Sequence, residues 1–124
     1  MTRYAIALAL AGAMGVAVPA GADEPQWTLP QTVSVAVGQS APIYAKRAND
    51  CGAPPPSFAE IQARLPKTAL GTFSDAGVVQ RMSAACTPDK RAVWVEARGI
   101  TVTGTKPGSE ILRFFGDSVS LTVR

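Results

Sequence analysis

The chain has 124 residues, 47% of them hydrophobic, with 12 Lys and Arg against 9 Asp and Glu and no histidine. A formal net charge of +3 is too mild to mark a nucleic-acid partner. The absence of histidine removes Ser-His-Asp and Cys-His catalysis and His-based metal sites.

The N-terminus sets the compartment. Met1-Thr2-Arg3 is a short basic head, and Tyr4 to Val18 is an apolar run rich in Ala and Leu. Pro19-Ala20-Gly21-Ala22 then places small residues where a signal peptidase needs them, ahead of Asp23-Glu24. We expect residues 1–22 to be a signal peptide cut after Ala22. The run is short for a bilayer span, which takes about 20 apolar residues, and no later segment is apolar enough to serve as one. The mature chain of roughly 100 residues is sized for one domain with a modest core. In an exported chain, two cysteines, Cys51 and Cys86, are expected to pair, and only one pairing exists. The crosslink closes a loop of roughly 36 residues, for which the chain-entropy model gives about 3–4 kcal/mol.

Residues 23–31 contain Pro25 and Pro30 and read as an extended lead-in, with Trp27 and Leu29 placed to tuck against the domain. The domain proper is expected over 32–124. Thr32 to Val37 alternates β-branched Val33, Val35 and Val37 with Thr32, Ser34 and Ala36, the pattern of a half-buried strand. Pro42 to Ala45 reads as a second short strand. Lys46 to Ser57 is loop, stiffened by Pro54-Pro55-Pro56. Residues 58–65 carry two patterns. Ser57-Phe58-Ala59-Glu60 fits a capping box, with Phe58, Ile61 and Leu65 at helical spacing. Ile61, Ala63 and Leu65 also alternate with Gln62 and Arg64 as a strand would. Gly71 to Ser74 is a short strand, Asp75-Ala76-Gly77 a turn, and Val78 to Cys86 extended. Ala92 to Ala97 places Val93, Val95 and Ala97 on one face and Trp94 and Glu96 on the other. Ile100 to Thr103, Glu110 to Phe115 and Val119 to Val123 complete the strands. Turn residues recur roughly every 8–12 positions, as in an antiparallel sandwich or barrel.

The order Asp50-Cys51, Leu65-Pro66-Lys67, Gly71-Thr72-Phe73 and Cys86 ahead of a Trp94-bearing strand resembles the small Ig-like β-sandwich modules of exported bacterial proteins. Ile100-Thr101-Val102-Thr103-Gly104, Lys106-Pro107-Gly108-Ser109 and the closing Ser118 to Val123 extend the likeness over Thr32 to Arg124. The resemblance implies an antiparallel two-sheet sandwich used for binding or assembly, without catalysis. It favours a strand over 58–65, with one short helix as the alternative. It departs from the antibody-type core, where the Trp lies between the cysteines; Trp94 follows Cys86.

Two features stand out as candidate sites. Lys46 and Arg47 precede Cys51 by a few residues, and Lys90 and Arg91 follow Cys86 at similar spacing. A disulfide that brings these flanks together gathers four cations suited to phosphate, an anionic glycan or a lipid headgroup. The structural alternative is that Asp50 and Asp89 neutralise them in surface ion pairs. Trp94 is the second candidate: exposed, it would stack on a sugar or a partner's side chain; otherwise its face packs on the lead-in around Trp27 or is itself the core face. No cofactor is indicated. The functional expectation is an exported, periplasmic or secreted, non-catalytic module binding a protein or an anionic or glycan envelope component, as a monomer or weak oligomer. The alternatives are an assembly subunit that pairs through an exposed edge strand, for which Val119 to Val123 is the candidate, and a small secreted hydrolase using two carboxylates.

Overall fold

The computed structural model describes residues 24–124, so the signal peptide expected over 1–22 and its expected cleavage site lie outside the described residues. The elements in order are β1 (Gln26–Trp27), β2 (Thr32–Val35), β3 (Ser40–Arg47), α1 (Phe58–Gln62), β4 (Gly71–Ser83), β5 (Val93–Gly104), β6 (Gly108–Phe114) and β7 (Asp117–Val123). They form a four-stranded sheet in the order β1-β4-β5-β3 and a three-stranded sheet in the order β2-β7-β6. The described residues are mostly β, with two sheets, one short helix and one disulfide.

Both sheets are mixed: the longer pairings are antiparallel, as expected of a mostly antiparallel fold, and the two lead-in strands pair in parallel. β1 runs parallel to β4, with Gln26 opposite Gln80 and Trp27 opposite Arg81. β2 runs parallel to β7 from Thr32–Ser120 to Val35–Val123. The cause is the lead-in. Pro25 presents its carbonyl to the Gln80 amide at 2.8 Å, and Gln31 presents its own to Ser120 at 2.9 Å. The incoming chain therefore ties itself first to one sheet and then to the other.

The alternating sequences do the expected work. Val33 and Val35 of β2 and Val119, Leu121 and Val123 of β7 are buried with Leu112 and Phe114 of β6. From the other sheet they meet Ile43, Tyr44, Ile100 and Val102, and Ile61 of α1 closes one end. The Phe114 ring stacks on Tyr44 at 5.1 Å and takes the edge of Phe73 at 5.4 Å. Val37 falls outside its strand and is 51% exposed.

Residues 58–62 are helical, correcting the strand expectation. The Ser57 hydroxyl accepts from the Glu60 amide at 3.2 Å while the Glu60 carboxylate accepts from the Ser57 amide at 3.0 Å. This reciprocal cap satisfies N-terminal donors that a strand would have to pair elsewhere, and it outweighs a short alternation. Upstream, the Pro56 carbonyl accepts from Arg98 Nε at 3.0 Å, so the proline run is fastened to the sheet.

The turn expected at Asp75-Ala76-Gly77 is a bulge inside one continuous 13-residue strand. The Asp75 carboxylate accepts from the Gly77 amide at 2.8 Å, so the turn-forming residues bend the ladder and do not end it. β5 likewise runs unbroken through Gly99, and its buried side changes there. Ala97 is buried before Gly99 and Ile100 and Val102 after it, positions of opposite parity. Ala97 joins Ala45 and Val79 in a second small cluster covered by Trp27 and Leu29. Gly99 leaves room for this cover: a Cβ there would lie 2.9 Å from Trp27 Cη2 and 3.0 Å from Val79 Cγ1.

Arg81 of β4 donates to the Ala45 carbonyl of β3 at 2.7 Å, although β5 stands between those strands in the sheet. The four-stranded sheet is therefore curled tightly enough for one arginine to bridge its non-adjacent strands.

Candidate functional site

The Cys51–Cys86 disulfide is present, with a Cα–Cα distance of 5.5 Å. It fastens the loop that follows β3 to the loop between β4 and β5. Next to it, the end of β3, the proline segment and α1 enclose a pocket of about 340 Å³, lined by Lys46, Arg47, Asn49, Pro54, Glu60 and Arg64 among others. A smaller pocket of about 200 Å³ shares Arg47 and Asp50 and reaches Cys51, Cys86 and Glu96.

The cations of the larger pocket converge on an aromatic ring. Lys46 Nζ lies 5.3 Å and Arg64 Cζ 4.9 Å from the Phe115 ring centre. Phe115 in turn stacks on Tyr44 at 6.1 Å, and Arg81 lies over the Tyr44 ring at 5.4 Å. Cations over the electron-rich faces of aromatic rings gain about 0.5–2 kcal/mol depending on desolvation. Lys46 Nζ also donates to the Arg47 carbonyl and to Asn49 Oδ1, each at 3.0 Å. Arg47 donates to the Ala48 carbonyl at 2.6 Å and the Asn49 carbonyl at 3.4 Å. Burial, followed by the charges of Arg47, Arg64 and Arg81, holds the Lys46 ammonium below its ordinary pKa of 10.5.

Phe115 reaches this position through its backbone. It sits at φ 53° beside Gly116 at φ 98°, in the two-residue loop between Phe114 and Asp117. Positive φ at both central positions is the type I′ hairpin geometry, normally filled by Asn-Gly. A bulky residue there is an outlier. Across the same turn, Tyr44 donates its hydroxyl to Asp117 Oδ2 at 2.5 Å. Burial and then this hydrogen bond raise the Tyr44 pKa above 10.0, while Arg81 opposes the rise.

Among the described residues the ion pairs are Arg91–Asp89 at 3.4 Å and Arg98–Asp75 at 3.2 Å. Lys46, Arg47 and Arg64 are in neither. Two acids do line the pocket, Asp50 and Glu60; Glu60 is engaged in the helix cap.

The four cations expected to share one surface are placed in two groups. Lys46 and Arg47 join Arg64 and Arg81. Lys90 and Arg91 lie on the turn from Thr87 to Arg91, held by Lys90 N to Thr87 O at 3.1 Å and by the Thr87 hydroxyl to Arg91 O at 2.7 Å. Arg91 turns to Asp89 on the same turn, and no contact links either residue to Lys46 or Arg47 among the described residues. Trp94 is 40% exposed and stands opposite Met82, 42% exposed, on the neighbouring strand. Trp27 packs on the Ala45, Val79 and Ala97 cluster.

Sequence reasoning missed Arg64, Arg81 and Phe115. Reading 58–65 as a strand hid the placement of Arg64, for which the capping box was the available signal. Phe115 read as the end of an apolar strand, and nothing local announces its positive φ. Among the described residues Glu24 and Glu96 form an interacting carboxyl pair: a hydrogen bond to Glu96, then burial, then the Glu96 charge raise the Glu24 pKa above 4.5.

In comparisons with known proteins, no protein-family model, no curated protein and no solved structure matches this chain.

Proposed function

We propose that this protein is an exported, non-catalytic binding module of Ig-like type whose pocket beside the disulfide takes an anionic group of an envelope component. The observation that carries this reading is that Lys46 and Arg64 converge on Phe115 and share one pocket with Arg47, with none of the three in an ion pair among the described residues. An anionic oxygen in the pocket would receive charge-assisted hydrogen bonds from groups already held in place. Asn49 adds a neutral amide, and the proline-rich wall is stiffened by Arg98. The leader sequence and the disulfide suit an oxidising compartment outside the cytosol. The resemblance to Ig-like modules is supported by two sheets that share one core.

The test is retention of the oxidised mature chain on phosphate-bearing and acidic-glycan matrices at low salt. Arg64→Glu combined with Lys46→Glu should abolish retention. Lys90→Glu with Arg91→Glu, the same change in charge at the separate turn, should weaken it only modestly. Equal losses from both double variants would reduce the site to net charge and refute the pocket.

A further inference from the structure

The last strand, β7, is the middle strand of its sheet, paired with β2 on one side and β6 on the other. Val119 to Val123 therefore offers no open edge, contrary to the sequence expectation. The open edge is β6. None of residues Gly108–Phe114 makes a backbone hydrogen bond beyond its pairing with β7 among the described residues. The other edges carry the usual protections. β1 has two residues and β2 four. β3 contains Pro42 and Lys46 and has its Ala45 carbonyl occupied by Arg81. β6 contains neither Pro nor Lys, and its Ile111 is 70% exposed.

We propose that β6 pairs antiparallel with β6 of a second copy of this chain, about a two-fold axis through Ile111. Three observations select this register. The hairpin closes on Phe114 opposite Asp117, so alternate residues from Phe114 back to Gly108 turn their amides and carbonyls toward β7. Ser109, Ile111 and Arg113 turn theirs outward. An axis at Ile111 sets Ser109 opposite Arg113 of the second copy and Ile111 opposite itself, so every outward group meets an outward group. Charge points the same way. An axis at Glu110 would set two carboxylates face to face, and parallel pairing would align like with like; an axis at Leu112 would set the exposed Ile111 opposite Arg113 instead of opposite its own copy. Finally, the exposed Ile111 side chains meet each other across the axis and leave water. A two-fold perpendicular to the sheet keeps both buried faces on the same side, so each copy retains its own core.

Sedimentation equilibrium on the oxidised mature chain, from low micromolar to near-millimolar, tests this. The wild type should show a monomer–dimer equilibrium. Ile111→Pro, which removes one outward amide from an exposed edge position, should leave only monomer. Ser109→Asp should tighten and Ser109→Lys weaken the dimer by a few fold, because each places a charge opposite Arg113 of the second copy. Both Ser109 variants lose the same hydroxyl contact to Thr122, so their difference isolates the charge. A monomer at every concentration, a dimer that survives Ile111→Pro, or Ser109 variants that shift the equilibrium in the same direction would each overturn the proposal.

Discussion

The guanidinium of Arg64 lies 4.9 Å from the centre of the Phe115 ring, so the end of α1 and the tip of the β6–β7 hairpin meet over one aromatic face. Lys46 reaches the same ring from the end of β3. Three elements distant in sequence thus supply one basic and aromatic cluster, and the positive φ of Phe115 is the local strain that the arrangement tolerates.

That strain separates two substitutions. A left-handed conformation costs about 1–2 kcal/mol for an ordinary residue and less for Asn. Phe115→Ala keeps the strain and loses the ring's packing on Tyr44. Phe115→Asn loses the ring but relieves the backbone. Urea unfolding should find Phe115→Asn the more stable by about 1 kcal/mol, with both variants poorly retained on an anionic matrix. Equal stabilities would show that the turn geometry is not limiting.

The helix that leads into Arg64 has five residues, Phe58–Gln62, and depends on its cap. Ser57→Ala should cost about 1 kcal/mol and weaken retention on an anionic matrix, although Ser57 lies outside the pocket lining. Ser57→Asn, a good capping residue that adds no charge, should restore both. Loss of retention without recovery in Ser57→Asn would assign the hydroxyl a role beyond capping.

Cys51 and Cys86 are 35 positions apart. Replacing both by Ala should lower the unfolding free energy by roughly 3–4 kcal/mol, a large part of the stability of a domain this size. Comparing thermal unfolding of the oxidised protein with the double variant checks this, and a difference under about 1 kcal/mol would contradict the loop-closure account.

Gly99→Ala sets a methyl group 2.9 Å from Trp27 and 3.0 Å from Val79. Crowding of this kind costs about 1–3 kcal/mol. Trp27 should be displaced and its emission should shift to the red, with Trp94→Phe as the background that leaves Trp27 as the reporter. An unchanged spectrum and stability would mean that the cover over Ala97 is loose.

The pH response of the lead-in follows from Glu24. Its pKa is raised in the folded state, first by the hydrogen bond to Glu96. The protonated form is therefore favoured on folding, and its contribution is full below the ordinary value near 4.5 and lost as pH rises through the raised one. Hydrogen exchange at Trp27 and Gln80 should speed up across that window beyond its intrinsic base dependence. Glu96→Gln removes the like charge and should flatten the extra component. If Glu96→Gln leaves it intact, the pair is not its source.

The sequence by itself determined the β-rich class, the pairing of the two cysteines and most of the core. Val33, Val35, Val119, Leu121 and Val123 are buried as their alternation requires, because a period of two places every second side chain on one face. The capping box was also legible, and it proved stronger than the rival alternation in Ile61, Ala63 and Leu65. Strand continuity was not legible: Asp75-Ala76-Gly77 has the composition of a turn, and whether such residues reverse a chain or bulge it depends on the partner strand. Nor were the parallel pairings of β1 and β2, which arise where the lead-in crosses from one sheet to the other. The meeting of Arg64, Lys46 and Phe115 belongs wholly to the tertiary structure. Side chains from three separate stretches of the sequence become neighbours only when packing fixes the helix, the hairpin and the curled sheet, and no local pattern encodes the distances among them.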